Sequence, residues 1–363
     1  MLLDQRLPEG HGDSITRLLL VVLALSIGLA TASQAQPADD AARRIASFKS
    51  QWPDLYARVI AMERAHGALY GALLRDRGKL KESDLYALLT RRVKAGAPVA
   101  SADPEADAGY AMLGTRGAEV IRRTQAFHHE VLAIFAGAAG SDRAGALDEA
   151  VDRYLSRPEV SLPDLPKDMT ILYDHSFTSF VTDEAGPRRK QPYPNLSGFS
   201  WATHWFQLAA LEPLELATDA DERRRGLTVV ADRFARKLSA GKPPDAFPTE
   251  LPLAPCIAPG LVAIHLRAAA ILDNLNMLHA VLWDVMVHPK VGNLRASLDE
   301  VIAQFTSRTD RVVEVDDWIQ MALRHSIFAQ GGPALGTMTQ SERNNNGHLQ
   351  HAKGGRATMR GMP

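Results

Sequence analysis

Apolar residues recur at three- and four-residue spacing along most of the chain, which is the pattern of amphipathic α-helices. The longest such segment runs from Pro259 to His288, opens with Pro-Gly and ends at the proline that follows His288. Proline is favoured in the first turn of a helix and cannot continue one. We therefore expect a single long helix at about residues 260–288 and place it at the centre of the fold.

The same spacing predicts further helices on both sides of this central helix. They cover 37–50, 53–75, 82–95, 104–136, 144–156, 200–214, 219–238, 294–305 and 315–328. The fold class that we predict is therefore all-α, an irregular multi-helix bundle around the central helix.

A proline-rich stretch, 158–198, separates two helical regions, 36–157 and 199–330. Its prolines exclude a continuous helix, and only Met169–Thr182 combines β-branched and aromatic residues. We expect any strand or short hairpin near 169–182 and any domain boundary within this connector. The final segment, 331–363, is polar and glycine-rich without periodicity, which predicts a disordered tail.

The first residues have the organisation of an export signal. Arg17 precedes an apolar run that ends at Ala30, and small residues at Ala32 and Ala35 fit the pattern before a signal-peptidase cut. We expect a signal peptide over 1–35, cleavage near Ala32 or Ala35, and a periplasmic or secreted protein. The alternative is a signal anchor in the inner membrane. No second long apolar run follows, so no integral membrane insertion is expected after cleavage.

Composition narrows the classes of partner and reaction. The 41 Lys and Arg residues balance the 42 Asp and Glu residues, so no global field attracts nucleic acid. An envelope protein is a better expectation as partner. The sequence contains no glycine-rich phosphate loop, Gly-x-Ser-x-Gly, His-Glu-x-x-His or Cys-x-x-Cys-His. These absences disfavour Rossmann enzymes, ATPases, α/β-hydrolases, zincin metalloproteases and c-type cytochromes, and leave open whether the protein is an enzyme.

Polar residues follow one flank of the predicted central helix. At about 100° per residue, His265, Asn276 and His279 lie within about 60° of one another, with Asp273 on the same side. Polar groups in an apolar helix must be hydrogen-bonded, paired or bound to a ligand. His265 and His279 are 14 residues apart. They are therefore separated by about 21 Å along the axis and cannot share one ion.

A metal site is the most specific hypothesis that these groups support. Imidazole and carboxylate ligands suit copper, iron or zinc, and such ligands converge inside helical bundles. The candidate metal ligands are His175, His204, Asp273, Asn276 and His279. The alternative is a non-catalytic periplasmic scaffold or binding protein in which the same histidines make structural hydrogen bonds.

Aromatic residues predict a second kind of site. Trp201, His204 and Trp205 stand at three- and four-residue spacing and form a wall for a flat cofactor such as haem, or part of the core. His66 lies in the apolar stripe of the helix at 53–75, and we expect it to be an ordinary core histidine.

Cys256 is the only cysteine, which excludes an intrachain disulfide. It lies just before the central helix, where the helix dipole is expected to lower the pKa of the thiol. The stretch from Pro255 to Pro259 loosely resembles the Pro-Cys-Pro signature of secreted haem-thiolate peroxygenases. Ile257 takes the place of the second proline, and we assign no function from this resemblance.

Overall fold

The computed structural model describes residues 40–76, 79–96, 102–138, 141–172, 193–239, 247–248, 250–288 and 291–335. Within these ranges the regular elements are helices, with no strand or sheet, which confirms the all-α prediction. An isolated antiparallel bridge joins Lys167 to Val312.

The helix boundaries follow proline and capping signals closely. In chain order the α-helices are α1 (40–51), α2 (Pro53–Arg75), α3 (Glu82–Ala95), α4 (Pro104–Ala111), α5 (Gly114–Ala136), α6 (Arg143–Leu155), α7 (Pro194–Ala209), α8 (Leu211–Leu216), α9 (Ala220–Ser239), α10 (Ala254–Ile257), α11 (Pro259–Ile264), α12 (Leu266–Val287), α13 (Leu294–Thr306) and α14 (Val315–Arg324). Short 3₁₀ helices cover Pro158–Val160 and Met169–Leu172.

Side-chain caps fix three of these starts. Asp103 accepts a hydrogen bond from the backbone N–H of Ala106 at the start of α4, and Asp142 accepts one from Gly145 at the start of α6. Asn293 caps α13 in the same way. Each cap satisfies an N–H group that has no partner within its helix.

The helix predicted over 104–136 is two helices. Gly114, at the junction, has φ +83°, a left-handed conformation that glycine adopts easily and that interrupts a continuous right-handed helix. The turn lets α4 pack tightly against α2. A Cβ atom on Gly109 would lie 1.8 Å from the carbonyl oxygen of Gly67, so the two helices meet backbone to backbone.

The central helix predicted over 260–288 is also interrupted, at His265. This residue has an extended backbone, with φ −156° and ψ 90°. Its ring Nδ1 accepts a hydrogen bond from Ala268 N at 3.1 Å, so His265 ends α11 and caps α12. Histidine is not a usual capping residue, which is why the pattern alone did not predict this break.

Two further expectations fall largely outside the described residues. Met169–Leu172, where a strand or hairpin was expected to begin, is a 3₁₀ helix, and the rest of that segment is not described. The signal segment and the part of the tail after 335 are likewise not described. The first tail residues are packed, since Trp205 Nε1 donates to Gly332 O at 2.9 Å.

Helix α12 is the core of the fold. Helices α2, α5, α6, α10 and α13 all contact it, and every residue from Ala268 to Met286 is buried. Among the described helices, α12 has the length and apolar composition to cross a membrane, and 94% of its most apolar window is buried inside the protein. The polar residues of α12 therefore lie in the interior, where each needs a partner.

Candidate functional site: a buried imidazole cluster

Three histidines from three helices meet in the core. His66 lies on α2, His204 on α7 and His279 on α12, and their exposed fractions are 1%, 0% and 2%. We call these three residues the imidazole cluster. The ring centres are 4.9 Å apart for His66 and His279, 5.3 Å for His66 and His204, and 5.5 Å for His204 and His279. Each imidazole therefore contacts both of the others.

Trp283 forms one wall of the imidazole cluster. It lies one turn after His279 on α12, and its ring is nearly parallel to that of His204, at 5.7 Å and 11°. Its ring centre is also 5.4 Å from that of His66 and 5.3 Å from that of His279. The large apolar ring keeps water from this side of the three imidazoles.

A hydroxyl group fixes the tautomer of His66. Its Nε2 lies 2.9 Å from Thr203 Oγ1, and that hydroxyl donates its hydrogen to the carbonyl oxygen of Ser200 at 2.7 Å. Thr203 has one hydroxyl hydrogen, so it accepts from His66 Nε2–H. The lone pair of His66 is therefore on Nδ1, so Nδ1 is the nitrogen of this ring that can bind a metal ion.

His279 has a phenol as its partner. Its Nδ1 lies 2.6 Å from the hydroxyl of Tyr70, which stands one turn after His66 on α2. Burial raises the pKa of Tyr70 well above its ordinary value, so the phenol keeps its hydrogen. The hydroxyl can donate to Nδ1 or accept from Nδ1–H, and in the second case the lone pair of His279 is on Nε2.

His204 has no such partner. Neither Nδ1 nor Nε2 forms a hydrogen bond with any described residue, although the side chain is fully buried. Ser200, one turn earlier on the same face of α7, also has a buried hydroxyl without a partner. A buried polar group without a hydrogen bond costs about 1–3 kcal/mol. This face of α7 thus contains buried polar atoms that form no hydrogen bond with the described residues.

All three imidazoles are neutral. Burial lowers the pKa of His66 to about 4 and lowers the pKa values of His204 and His279 well below the ordinary value. Proximity to His66 lowers the last two pKa values further. At neutral pH the imidazole cluster is therefore a set of uncharged rings and not a cationic site.

The spacing of the rings fits a shared metal ion, but the donor atoms do not converge. Three imidazole nitrogens about 2.1 Å from one tetrahedral ion have ring centres about 5 Å apart, which is close to the spacing observed. Yet in the described ranges no group of three or more His, Cys, Asp or Glu side chains is arranged to hold a metal ion. Binding would require rings to turn, and His204 is the ring that no hydrogen bond restrains.

Asp273, another of the predicted metal ligands, is not part of this cluster. Asp273 uses its carboxylate elsewhere, because Ala254 N donates to both of its oxygens and Trp318 Nε1 donates to Oδ2. Six residues separate Asp273 from His279, which puts them about 120° apart around α12. Asn276 is buried on α12, and His175 lies outside the described residues.

The two tryptophans of the predicted aromatic wall, Trp201 and Trp205, lie in different environments. The ring of Trp201 is 6.1 Å from that of His204, close to the imidazole cluster. The ring of Trp205 instead lies beneath Lys237 and Arg233 of α9. The two indoles therefore do not form one flat surface for haem.

Sequence reasoning missed four residues of the site, namely His66, Tyr70, Thr203 and Trp283. His66 and Tyr70 are four residues apart and so share one face of α2. That spacing of two polar aromatic groups inside an apolar stripe was the available signal. Nothing in the sequence indicated that this face of α2 meets the polar flank of α12.

The pKa shift of the Cys256 thiol is opposite to the one that we expected. Its Sγ donates to the carbonyl oxygen of Ala322 at 3.3 Å, and burial raises the pKa of the thiol. The expected lowering by a helix dipole is therefore wrong, because loss of solvation outweighs it. Helix α10, which contains Cys256, is also only four residues long.

The chain was compared with protein-family models, with curated proteins and with solved structures, and none of the three comparisons gives a match.

Proposed function

We propose that this protein binds a transition-metal ion through His66, His204 and His279. The observation that carries the proposal is His204, which has both ring nitrogens in the core without a hydrogen-bond partner among the described residues. A polar ring in this position reduces stability unless something binds it. Two further neutral imidazoles lie within 5.5 Å of it, ring centre to ring centre.

The hydrogen bonds around the imidazole cluster match the outer shell of a metal site. A ligating histidine usually donates its other ring N–H to an oxygen atom, which sets the tautomer and the ring orientation. Thr203 holds His66 in this way, with Nδ1 available, and Tyr70 can hold His279 with Nε2 available. His204 would supply the third nitrogen.

Neutral imidazole ligands favour zinc, copper or iron over calcium and magnesium, which prefer oxygen. The three rings are at most 2% exposed, so a substrate cannot reach the ion in this conformation. A role in metal binding or metal handling fits this burial better than catalysis on a substrate. A metal ion would also enter more readily during folding than after it.

Metal titration of refolded protein tests the proposal. Metal-free protein is unfolded, refolded with Zn²⁺ or Cu²⁺, desalted and analysed for metal content. Every sample carries His348→Ala and His351→Ala, which remove the tail histidines as competing ligands. We expect one ion per chain, and we expect His279→Ala to abolish binding while leaving the helical content largely intact.

His265→Ala is the matched control. His265 is also a buried histidine near α12, but its ring caps the helix and contacts Asp148. We expect this variant to keep its metal. Full metal content in His279→Ala, or no metal in the protein with an intact imidazole cluster, would refute the proposal.

Structural packing is the second candidate role for the three histidines. The observation that favours it is that no described group of three ligands converges as a metal site requires. In that case the protein is a helical scaffold or binding protein. The same titration separates the two roles, because a packing cluster retains no ion after desalting.

The location that we propose is the periplasm or the extracellular space. The proposal rests on Arg17, the apolar run that ends at Ala30, and the small residues at Ala32 and Ala35. Sequencing the N-terminus of the protein from a periplasmic fraction tests it. A mature end just after Ala32 or Ala35 is expected, and an uncleaved chain in the membrane fraction would indicate an anchor.

A further inference from the structure

A cleft of about 490 Å³ opens where α1, the end of α5, and the starts of α6 and α9 meet. Phe48 and Trp52 provide aromatic walls, and alanines from α5 line the other side. None of its lining residues belongs to the imidazole cluster. The volume is within the range of small-molecule sites.

Arg223 is the main polar feature of this cleft. It is 5% exposed, and its Nη1 donates to the carbonyl oxygens of Ala136 and Gly137 at the end of α5. Its Nε and Nη2 have no hydrogen-bond partner in the described part of the chain, and no described carboxylate pairs with it. A role in capping the C-terminus of α5 would explain the two hydrogen bonds of Nη1, but it would not explain the burial of Nε and Nη2.

The other unpartnered atoms at this cleft are donors as well. Trp52 Nε1 and Arg44 Nε are buried without a partner among the residues that the structure describes. Asp142 is the one acidic residue of the lining, and its Oδ1 already accepts the cap hydrogen bond from Gly145 N. The buried side-chain atoms of this lining that have no partner among the described residues are therefore all N–H groups.

The cations in and beside the cleft agree with these unpartnered donors, although Arg143 is not itself a lining residue. A second guanidinium, that of Arg143, is close enough to lower the pKa of Arg223 further, after burial, which is the larger cause. Arg143 itself donates to the carbonyl oxygens of Phe135, Leu214 and Glu215 and not to a carboxylate. An anion in the cleft would neutralise this pair of cations.

We propose that this cleft binds a small organic anion, with its oxyanion group at Arg223 and its apolar body against Phe48 and Trp52. A carboxylate accepts two parallel hydrogen bonds from a guanidinium, and Nε with Nη2 is one edge that presents such a pair. The aromatic walls suit a compact apolar or aromatic body.

Binding of 3-phenylpropanoate to the full protein tests the proposal, with 3-phenylpropanamide and inorganic phosphate as comparison probes. Calorimetry gives the affinity, and tryptophan fluorescence reports contact because Trp52 lines the cleft. We expect the carboxylate to bind with a Kd below about 1 mM, and to bind at least about tenfold more tightly than the amide or phosphate. We expect Trp52→Phe to remove the fluorescence change.

Two variants test whether Arg223 is the residue that binds the carboxylate. Arg223→Gln should weaken binding of 3-phenylpropanoate at least about tenfold, whereas Arg225→Gln, an exposed arginine of the same helix, should leave it unchanged. If Arg223→Gln does not fold, Arg223→Lys serves instead, because lysine can still donate to the two carbonyls of α5 but lacks the guanidinium edge. Equal affinity in a folded Arg223 variant, or equal affinity for the amide, would overturn the proposal.

Discussion

At the scale of single residues, His204 is a polar ring that the interior of this protein does not satisfy. A leucine of similar volume would bring no N–H or lone pair into the core and would still pack against Trp283. A residue that lowers stability and yet occupies a packed core position is typical of a functional site.

The first prediction concerns His204→Leu. Because both ring nitrogens lack partners, we expect the metal-free variant to be as stable as the parent or more stable, by up to about 2 kcal/mol. Urea unfolding of the two metal-free proteins measures the difference. A loss of several kcal/mol would mean that the imidazole makes structural bonds, and would argue against a ligand role.

The second prediction concerns Thr203→Val, which removes the hydroxyl that accepts from His66 Nε2–H. Without it the tautomer of His66 is no longer fixed, and we expect metal affinity to fall about 10- to 100-fold. Thr228→Val is the control, because that hydroxyl bonds only to Arg224 O on an exposed helix face. Equal affinity in both variants would show that Thr203 does not orient a ligand.

Residue types alone indicated part of the site. His204 and His279 were predicted as ligands because both are polar groups in strongly apolar helices. His66 was predicted to be an ordinary core residue, because a stripe on one helix does not reveal which other helix it meets. Asp273 has the right chemistry for a ligand, but its carboxylate binds Ala254 N and Trp318 Nε1.

At the scale of elements, the carboxylate of Asp273 joins three helices. Asp273 on α12 accepts from the start of α10 and from the indole of α14, and it is fully buried. Both donors are buried backbone or ring N–H groups that have no access to water. The hydrogen bonds therefore fix how α10 and α14 pack on α12.

The third prediction is that Asp273→Ala destabilises the protein by about 2–5 kcal/mol, because two buried donors lose their acceptor. Asp273→Asn keeps an acceptor oxygen and should cost less. Chemical unfolding measures both losses, and metal analysis of the folded protein should show an unchanged metal content. Loss of the metal in a well-folded Asp273→Asn variant would contradict our separation of Asp273 from the site.

The helices were largely predictable because most of their ends depend on local signals. Pro53 begins α2 and Pro104 begins α4, each in the first turn, and Asp103 is a good cap. The breaks at Gly114 and His265 were missed, because hydrophobic periodicity reports neither a left-handed glycine nor an imidazole that acts as a cap. The helix predicted over 200–214 was also placed wrongly: α7 already begins at Pro194, within the predicted connector, and a turn at Ala210 separates it from α8.

At the scale of the whole molecule, buried neutral histidines should make the metal-free protein sensitive to acid. Burial lowers the pKa values of His66 and His128 to about 4, and it lowers those of His204 and His279 well below their ordinary value. In the unfolded chain these groups titrate near pH 6.5. The unfolded state therefore binds more protons than the folded state below that pH, and stability falls as the pH falls.

The fourth prediction follows from this loss of stability at lower pH. Between about pH 6.5 and pH 4, His66 and His128 should each lower the free energy of unfolding by about 1.4 kcal/mol per pH unit. Urea unfolding of metal-free protein at pH 6.5, 5.5 and 4.5 measures the slope. His66→Gln should reduce the slope by the contribution of one histidine, and an unchanged slope would place the titrating groups elsewhere.

X-ray absorption at the zinc edge of the refolded one-to-one complex tests the metal site most directly, with the tail histidines replaced as above. We expect imidazole scattering from three nitrogen ligands at about 2.0–2.1 Å, and we expect His279→Ala to lose it. A shell of oxygen ligands, or the same spectrum in His279→Ala, would mean that zinc binds elsewhere and that the imidazole cluster is packing.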